Sequence, residues 1–220
     1  MRKIISLLIV FNLVSGFCFA QVYIEPVVGY QFDLNNSKNK FKQINTGLQL
    51  SLKTTKVYEV IFLLQKGWSV ASVSNDSSFS LNPSLPLYAN AEKTIRPSSF
   101  SFSVGHRFVI AGKKSNDIFS ILLNTGITYQ KISVGYNYDK NNYTILNPDQ
   151  TQKRWAAFIS AGVEYMRLLK TGRLFGQINF SSPPTGKKIN YPSSFKFMAP
   201  LSINAGYSIL LKKNKHAKKK

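Results

Sequence analysis

The sequence predicts an all-β protein, an eight-stranded antiparallel up-and-down transmembrane β-barrel. Three observations carry that expectation. Apolar residues recur at every second position through long segments. The opposite face of those segments is Ser, Asn, Gln, Thr and Gly, with almost no lysine. The connectors alternate between short and long. With 220 residues, 44% hydrophobic and 17% charged, the chain has the length for one or at most two domains.

Residues 1–20 read as a secretory signal peptide outside the fold. Arg2 and Lys3 are basic, an apolar run reaches Phe19, and Ala20 is the small residue expected before a cut at Gln21. The run is too short and too polar near its end for a spanning helix. If the cut falls there, Cys18 leaves with the signal, and the mature chain has neither a disulfide nor a thiol. The barrel is expected over residues 21–211, with a basic periplasmic tail over 212–220.

The first strand alternates Val22, Ile24, Val28, Tyr30 and Phe32 with Tyr23, Glu25, Gly29 and Gln31. The second sets Ile44, Leu48, Leu50 and Leu52 against Asn45, Gly47, Gln49 and Ser51. The third, residues 57–68, is less clean, because Ile61 and Leu63 also load its second face. In the fourth, Phe100, Phe102, Val104, His106, Phe108 and Ile110 oppose Ser99, Ser101, Ser103, Gly105 and Arg107. Residues 119–129, 155–165, 173–182 and 197–211 supply the remaining four. Alternation over eight or more residues argues for strand, and no helical period of useful length appears.

Short connectors (LKTTK, AGKKSND, LKTG) join strands two to three, four to five and six to seven. The other connectors are longer, notably residues 71–98 and 138–152. Short turns on one side and long loops on the other suit a membrane barrel with both termini on the short-turn side. A soluble barrel or sandwich alternates too, with its apolar face inward. Against it stand the uncharged polar face, the glycines inside strands, and the aromatics toward strand ends on the apolar face: Tyr30, Phe32, Trp68, Phe100, Tyr129, Trp155, Tyr165 and Tyr207.

One phrase recurs: polar, any, Gly, any, any, apolar, any, apolar. Asn204-Ala205-Gly206-Tyr207-Ser208-Ile209-Leu210-Leu211 is its last copy, with others at residues 45–52, 103–110 and 160–166. Asn204, Gly206, Ile209 and Leu211 resemble the C-terminal β-signal of Gram-negative outer-membrane barrels, which implies reading by the barrel-assembly machinery. The mature chain as a whole resembles the small eight-stranded porin-family outer-membrane barrels of the Bacteroidota type. The repetition implies equivalent depths, with Gly47, Gly105, Gly162 and Gly206 in one lumenal layer.

Eight strands enclose a space just wide enough for side chains, so an open pore is not expected. Glu25, Glu59, Glu164 and Arg107 have lumenal parity, and unpaired acids there are costly, so a network of the three acids around Arg107 is expected. Arg154, Arg173 and Lys196 lie nearer the strand ends. No nucleophile, base and orienter share a recognisable spacing, so no enzymatic activity and no catalytic residue is expected. His106 has no serine two residues away, and the other histidine, His216, lies in the tail. No metal site and no cofactor is expected.

The formal charge of +20 becomes +18 once Arg2 and Lys3 are removed. An exported chain does not meet nucleic acid in its ordinary life, and the lysines cluster between the apolar segments, so no nucleic-acid partner is expected. The expected partners are outer-membrane lipid and lipopolysaccharide, with Lys38, Lys40 and Lys42 near its phosphates, and the assembly machinery during insertion. Past Tyr129 the apolar parity switches to Ile132, Val134, Tyr136 and Tyr138, which suggests a bulge where the chain leaves the membrane and a projecting sheet edge beyond it. A surface ligand is expected to use this extension, residues 131–152, and the loop 71–98. The leading reading is thus a non-enzymatic outer-membrane barrel with a structural or surface-binding role. A narrow or gated channel stands second, and a secreted soluble lipid-binding barrel third.

Overall fold

A computed structural model of the chain describes residues 21–33, 42–112, 115–146, 150–182 and 200–212. The signal peptide, Lys38, Lys40, His216 and the basic tail beyond Lys212 lie outside the described residues, as do Lys196 and the start of the last expected strand. The described residues form ten strands, all antiparallel: β1 (Gln21–Asp33), β2 (Lys42–Lys53), β3 (Tyr58–Ser69), β4 (Ser72–Ser80), β5 (Tyr88–Ala111), β6 (Asp117–Asn137), β7 (Tyr143–Thr144), β8 (Gln150–Leu168), β9 (Arg173–Ser181) and β10 (Pro200–Lys212).

Eight of them close a ring in chain order, β1–β2–β3–β5–β6–β8–β9–β10, and β10 returns to β1. From Val22 the partners run Leu52, Val60, His106, Leu123, Ala161, Phe180 and Leu201, and Leu201 pairs with Phe32. The circuit therefore rejoins β1 ten residues further on (32 − 22 = 10). Ten residues at about 3.3 Å against eight spacings of about 4.8 Å give a strand tilt of about 40°. Closure leaves the ring no unpaired edge.

The two faces separate by chemistry. Outward lie Val28, Ile44, Leu48, Leu64, Phe102, Leu123, Ile127, Ile159, Val163 and Ile203, all exposed. Inward lie the buried Gln49, Ser51, Asn45, Ser103, Ser160, Gln177 and Ser208. A soluble lipid carrier needs the reverse arrangement, and that reading is overturned. Aromatics bound the outer apolar surface above and below. Tyr58 and Trp68, Phe119 and Tyr129, and Trp155 and Tyr165 are each separated by ten residues on their strands (68 − 58, 129 − 119, 165 − 155). At a 40° tilt ten residues rise about 25 Å, the height of the apolar band of a membrane barrel. The upper pair Tyr129–Trp155 and the lower pair Phe119–Tyr165 are cross-strand neighbours, each with ring centroids 5.2 Å apart. Trp68 donates its indole N–H to Thr46, and Tyr165 donates its hydroxyl to Asp117 at the short-turn end.

Above the upper belt the structure departs from the sequence expectation. Residues 71–98 are not a loop: β4 continues the path of β3 and pairs with the first half of β5, from Ser72 opposite Ile95 to Phe79 opposite Tyr88. No bulge follows Tyr129, since β6 holds one register with β5 from Ser120 to Asn137. The register shift in this hairpin falls near the opposite end, between Val109 and Ala111. The extension of β6 is not an edge either, because it pairs with β5 on one side and, as far as Val134, with β8 on the other. The parity of apolar residues switches because the surroundings switch. Within the band the inner face meets a polar lumen and the outer face meets lipid, whereas above the band the outer face meets water. Ile132, Ile95 and Ala91 accordingly turn inward and are buried.

Candidate functional site

Arg107 is the centre of the lumen. It lies on β5 directly opposite Glu59 on β3, and its side chain is fully buried. Its guanidinium reaches Glu59 at 2.5 Å, Glu25 at 3.1 Å and Glu164 at 2.8 Å. The structure thus brings together the four lumenal charges that parity marks. It adds a fifth, Arg173, which the sequence reading leaves near a strand end. Arg173 donates to Glu25 at 2.8 Å, to Glu59 at 2.7 Å and to Ser208 at 3.0 Å. Gln49 donates to Glu25, Ser51 to Glu59 at 2.6 Å, and Gln177 to Glu164 at 2.8 Å.

Three carboxylates thus meet two guanidiniums, and Lys53, opposite Glu59 in the β2–β3 ladder, brings a third cation to the same end. Aromatic rings close the assembly: Tyr23 lies 3.6 Å from the Arg173 guanidinium, and Phe175 lies 5.9 Å from that of Arg107. Val27, Ile118, Met166 and Phe175 form a buried apolar cluster beside it. Every carboxylate of the group is held by a guanidinium, which suits a structural plug rather than acid/base catalysis, where a group must exchange protons with a bound substrate. Among the described residues no group of His, Cys, Asp and Glu could hold a metal ion.

The lumenal glycines mark places where neighbouring side chains need the room. A Cβ at Gly105 would overlap the Asn124 amide, its direct partner on β6, and one at Gly162 would overlap Asn179 on β9. At Gly206 the space is taken by the Phe175 ring, and at Gly47 by the backbone of β3. All four turn inward, and Val27 is the ladder partner of both Gly47 and Gly206. In β10 Asn204 and Gly206 face the lumen, while Ile209 and Leu211 are exposed on the outer surface.

Above the charge network the lumen holds a cavity of about 80 Å³. Its walls are uncharged: Ser, Asn, Gln and Thr side chains, with Leu63 and Phe158 the two apolar members. That is room for about five to eight water molecules. Arg154 lies at the upper rim and donates to Gln130 at 2.9 Å.

The second candidate surface is the sheet that stands above the belt. β5 runs twelve residues before Phe100 (88–99), and β6 eight beyond Tyr129 (130–137). β4 flanks β5, and β7 pairs with the far edge of β4 through Phe79–Thr144 and Ser80–Tyr143. The chain from β6 to β7 therefore straps across two strands. Asp139 fixes the turn of that strap: it accepts from the Asn142 side chain at 2.7 Å and from the Asn141 backbone N–H at 3.0 Å. Those bonds, the Asn142 one first, hold its carboxyl below the usual carboxylate range. On the inner face Lys93 meets Asp76 at 3.6 Å and lies over the Tyr136 ring.

No protein-family model and no curated protein sequence matches the chain. The solved structures similar to it include Neisserial surface protein A, at 9% identity over 86% of this chain and 97% of that one, with a TM-score of 0.48. The N-terminal β-barrel domain of Pseudomonas aeruginosa OprF is 12% identical over 86% of this chain and 99% of its own, with a TM-score of 0.43. Ail, the attachment invasion locus protein of Yersinia pestis, in complex with the heparin analogue sucrose octasulfate, is 10% identical over 87% and 99%, with a TM-score of 0.44. The barrel assignment here rests on this chain's own closed ring of ladders.

Proposed function

We propose that the chain is a non-enzymatic outer-membrane barrel whose filled lumen serves as a rigid foot for a surface-binding sheet. The single observation that carries this reading is the contrast between the two ends. Below the belt the ring ends in short turns such as the one between β8 and β9. Above it β4, β5, β6 and β7 build a hydrogen-bonded platform beyond the reach of the lipid. A chain needs no such platform to seal a membrane, and strands order loops that must present a fixed surface. The plugged lumen supports an anchor over a diffusion channel.

In this reading residues 1–20 are removed on export and the short turns face the periplasm, as does the basic tail. Asn204, Gly206, Ile209 and Leu211 present the assembly signal, and the chain is read as a barrel of the porin-family, Bacteroidota type. The test begins with fractionation of native membranes and gel migration with and without boiling. Outer-membrane recovery with a heat-modifiable shift is expected, and soluble recovery without a shift would overturn the reading. A variant with a four-residue turn in place of residues 70–98 should keep the shift. Cells carrying it should lose adhesion to glycan-coated and protein-coated surfaces that cells with the full chain retain, and unchanged adhesion on every surface would remove the binding role.

A further inference from the structure

The outer surface immediately above the upper aromatic belt carries a feature that the barrel itself does not require. Lys131 on β6 and Lys153 on β8 are direct cross-strand partners, both exposed. They stand two residues beyond the belt pair Tyr129–Trp155, about 5 Å higher along the barrel axis at this tilt. Arg96 on β5 is also exposed and lies on the same face, opposite Ser133, diagonal to Lys131. Directly opposed strand residues have Cβ atoms about 5 Å apart and diagonal ones about 7–8 Å, so three cations share one small patch.

Like charges placed opposite each other destabilise a sheet. Among the described residues no carboxylate pairs with Arg96, Lys131 or Lys153. On this face of β5 the next acid is Glu92, four residues beyond Arg96 and about 13 Å away. The height is equally specific. An aromatic belt marks the level of the acyl–headgroup boundary, so cations about 5 Å above it stand in the headgroup layer, where lipid phosphates reside.

We propose that Arg96, Lys131 and Lys153 form a binding site for the phosphate groups of a phosphorylated glycolipid in the outer leaflet, packed with its acyl chains along the face of β5, β6 and β8. The proposal rests on the outward orientation of the projecting sheet argued above. Lys131 and Lys153 straddle one phosphate, Arg96 adds a second donor fork, and Phe100, Tyr129 and Trp155 receive the sugar–acyl boundary directly below.

The test uses the full mature protein in detergent micelles containing bisphosphorylated lipid A, read by native mass spectrometry and by titration. Wild type is expected to retain the lipid. The double variant K131Q/K153Q should bind about 30-fold more weakly, the factor expected from two near-surface cations. Its heat-modifiable gel shift should be unchanged, which separates lost binding from lost folding. Lys56→Gln, an exposed lysine at the short-turn end, should bind like wild type, and dephosphorylated lipid A should bind wild type as weakly as the double variant binds the intact lipid. Equal binding by the folded double variant would overturn the site. Displacement by millimolar inorganic phosphate, or equal binding of phosphatidylglycerol, would overturn the glycolipid as its occupant. Recovery of the protein from a different membrane would refute its location, while the micelle titration would still decide the site.

Discussion

Glu59 and Arg107 are direct partners in the ladder between β3 and β5, and their side chains meet inside the barrel with neither open to solvent. A barrel hairpin is thus tied twice, once through its backbone and once through its charges. Removing one partner of a buried ion pair leaves uncompensated charge, which costs about 3–5 kcal/mol. Arg107→Met should therefore lower the unfolding free energy of the detergent-folded barrel by about that amount in urea titration. The loss should exceed that from Lys93→Met, whose partner Asp76 is partly exposed in the projecting sheet. An Arg107→Met barrel as stable as wild type would show that the network is not what holds the lower lumen.

The lumenal glycines give a paired test. Gly105 has the Asn124 amide lying where its Cβ would be, whereas Gly176, on the outer face of β9, has open space there. Gly105→Ala should destabilise by about 1–3 kcal/mol through overpacking, and Asn124→Ala in the same chain should recover most of that loss. Gly176→Ala should be neutral or stabilising by up to about 1 kcal/mol, since it removes backbone freedom from the unfolded chain. Equal effects at the two sites would mean that crowding of the lumen does not explain these glycines.

Period two was enough to place all eight ring strands, because a barrel wall has one face in lipid and one in the lumen along its whole height. The same rule hid β4. Ser72, Ser74, Asn75, Ser77 and Ser78 carry almost no apolar signal, since both faces of that strand stand above the membrane and its pairing with Tyr88–Ile95 is set by a hairpin, not by burial. Arg173 was left out of the network for a different reason. Strand-end position says nothing about height until the ten-residue offset of the ring is known, and that offset brings the first residue of β9 level with Glu25, 148 residues earlier in the chain. The three acids that meet Arg107 were marked by parity alone, whereas the upper cation patch needed the β6–β8 register.

Lipid contact on the outer face predicts a cost that depends on depth. Leu123 is exposed on β6, four residues above Phe119 and six below Tyr129, so it lies near the middle of the apolar band. An arginine at the bilayer midplane of a barrel costs about 2–4 kcal/mol, falling to about 0–1 near the interfaces. Leu123→Arg should therefore reduce stability in lipid vesicles by about 2–4 kcal/mol, while Phe119→Arg at the lower belt should cost about 1 kcal/mol or less beyond the loss of its ring. Equal costs at the two depths would contradict a lipid-facing wall.

The inversion of pattern above the belt predicts that the sheet can fail without the barrel. Ile95 and Ile132 are 2% and 5% exposed, on the inner face of β5 and β6 above Phe100 and Tyr129. Ile95→Ala removes buried methyl groups at a cost of about 2–5 kcal/mol, and that cost falls on β4, β5 and β6 above the membrane. The opened state of the sheet should become at least tenfold more populated, read as faster proteolysis in the exposed turn at residues 81–87 on intact cells. The heat-modifiable shift should stay intact, because the parts of the ring ladders that lie within the apolar band, from Phe119–Tyr165 up to Tyr129–Trp155, are below the substitution. A variant that lost the shift and gained no protease sensitivity would mean that the platform and the barrel unfold as one unit, and that the sheet is part of the barrel wall rather than something the barrel carries.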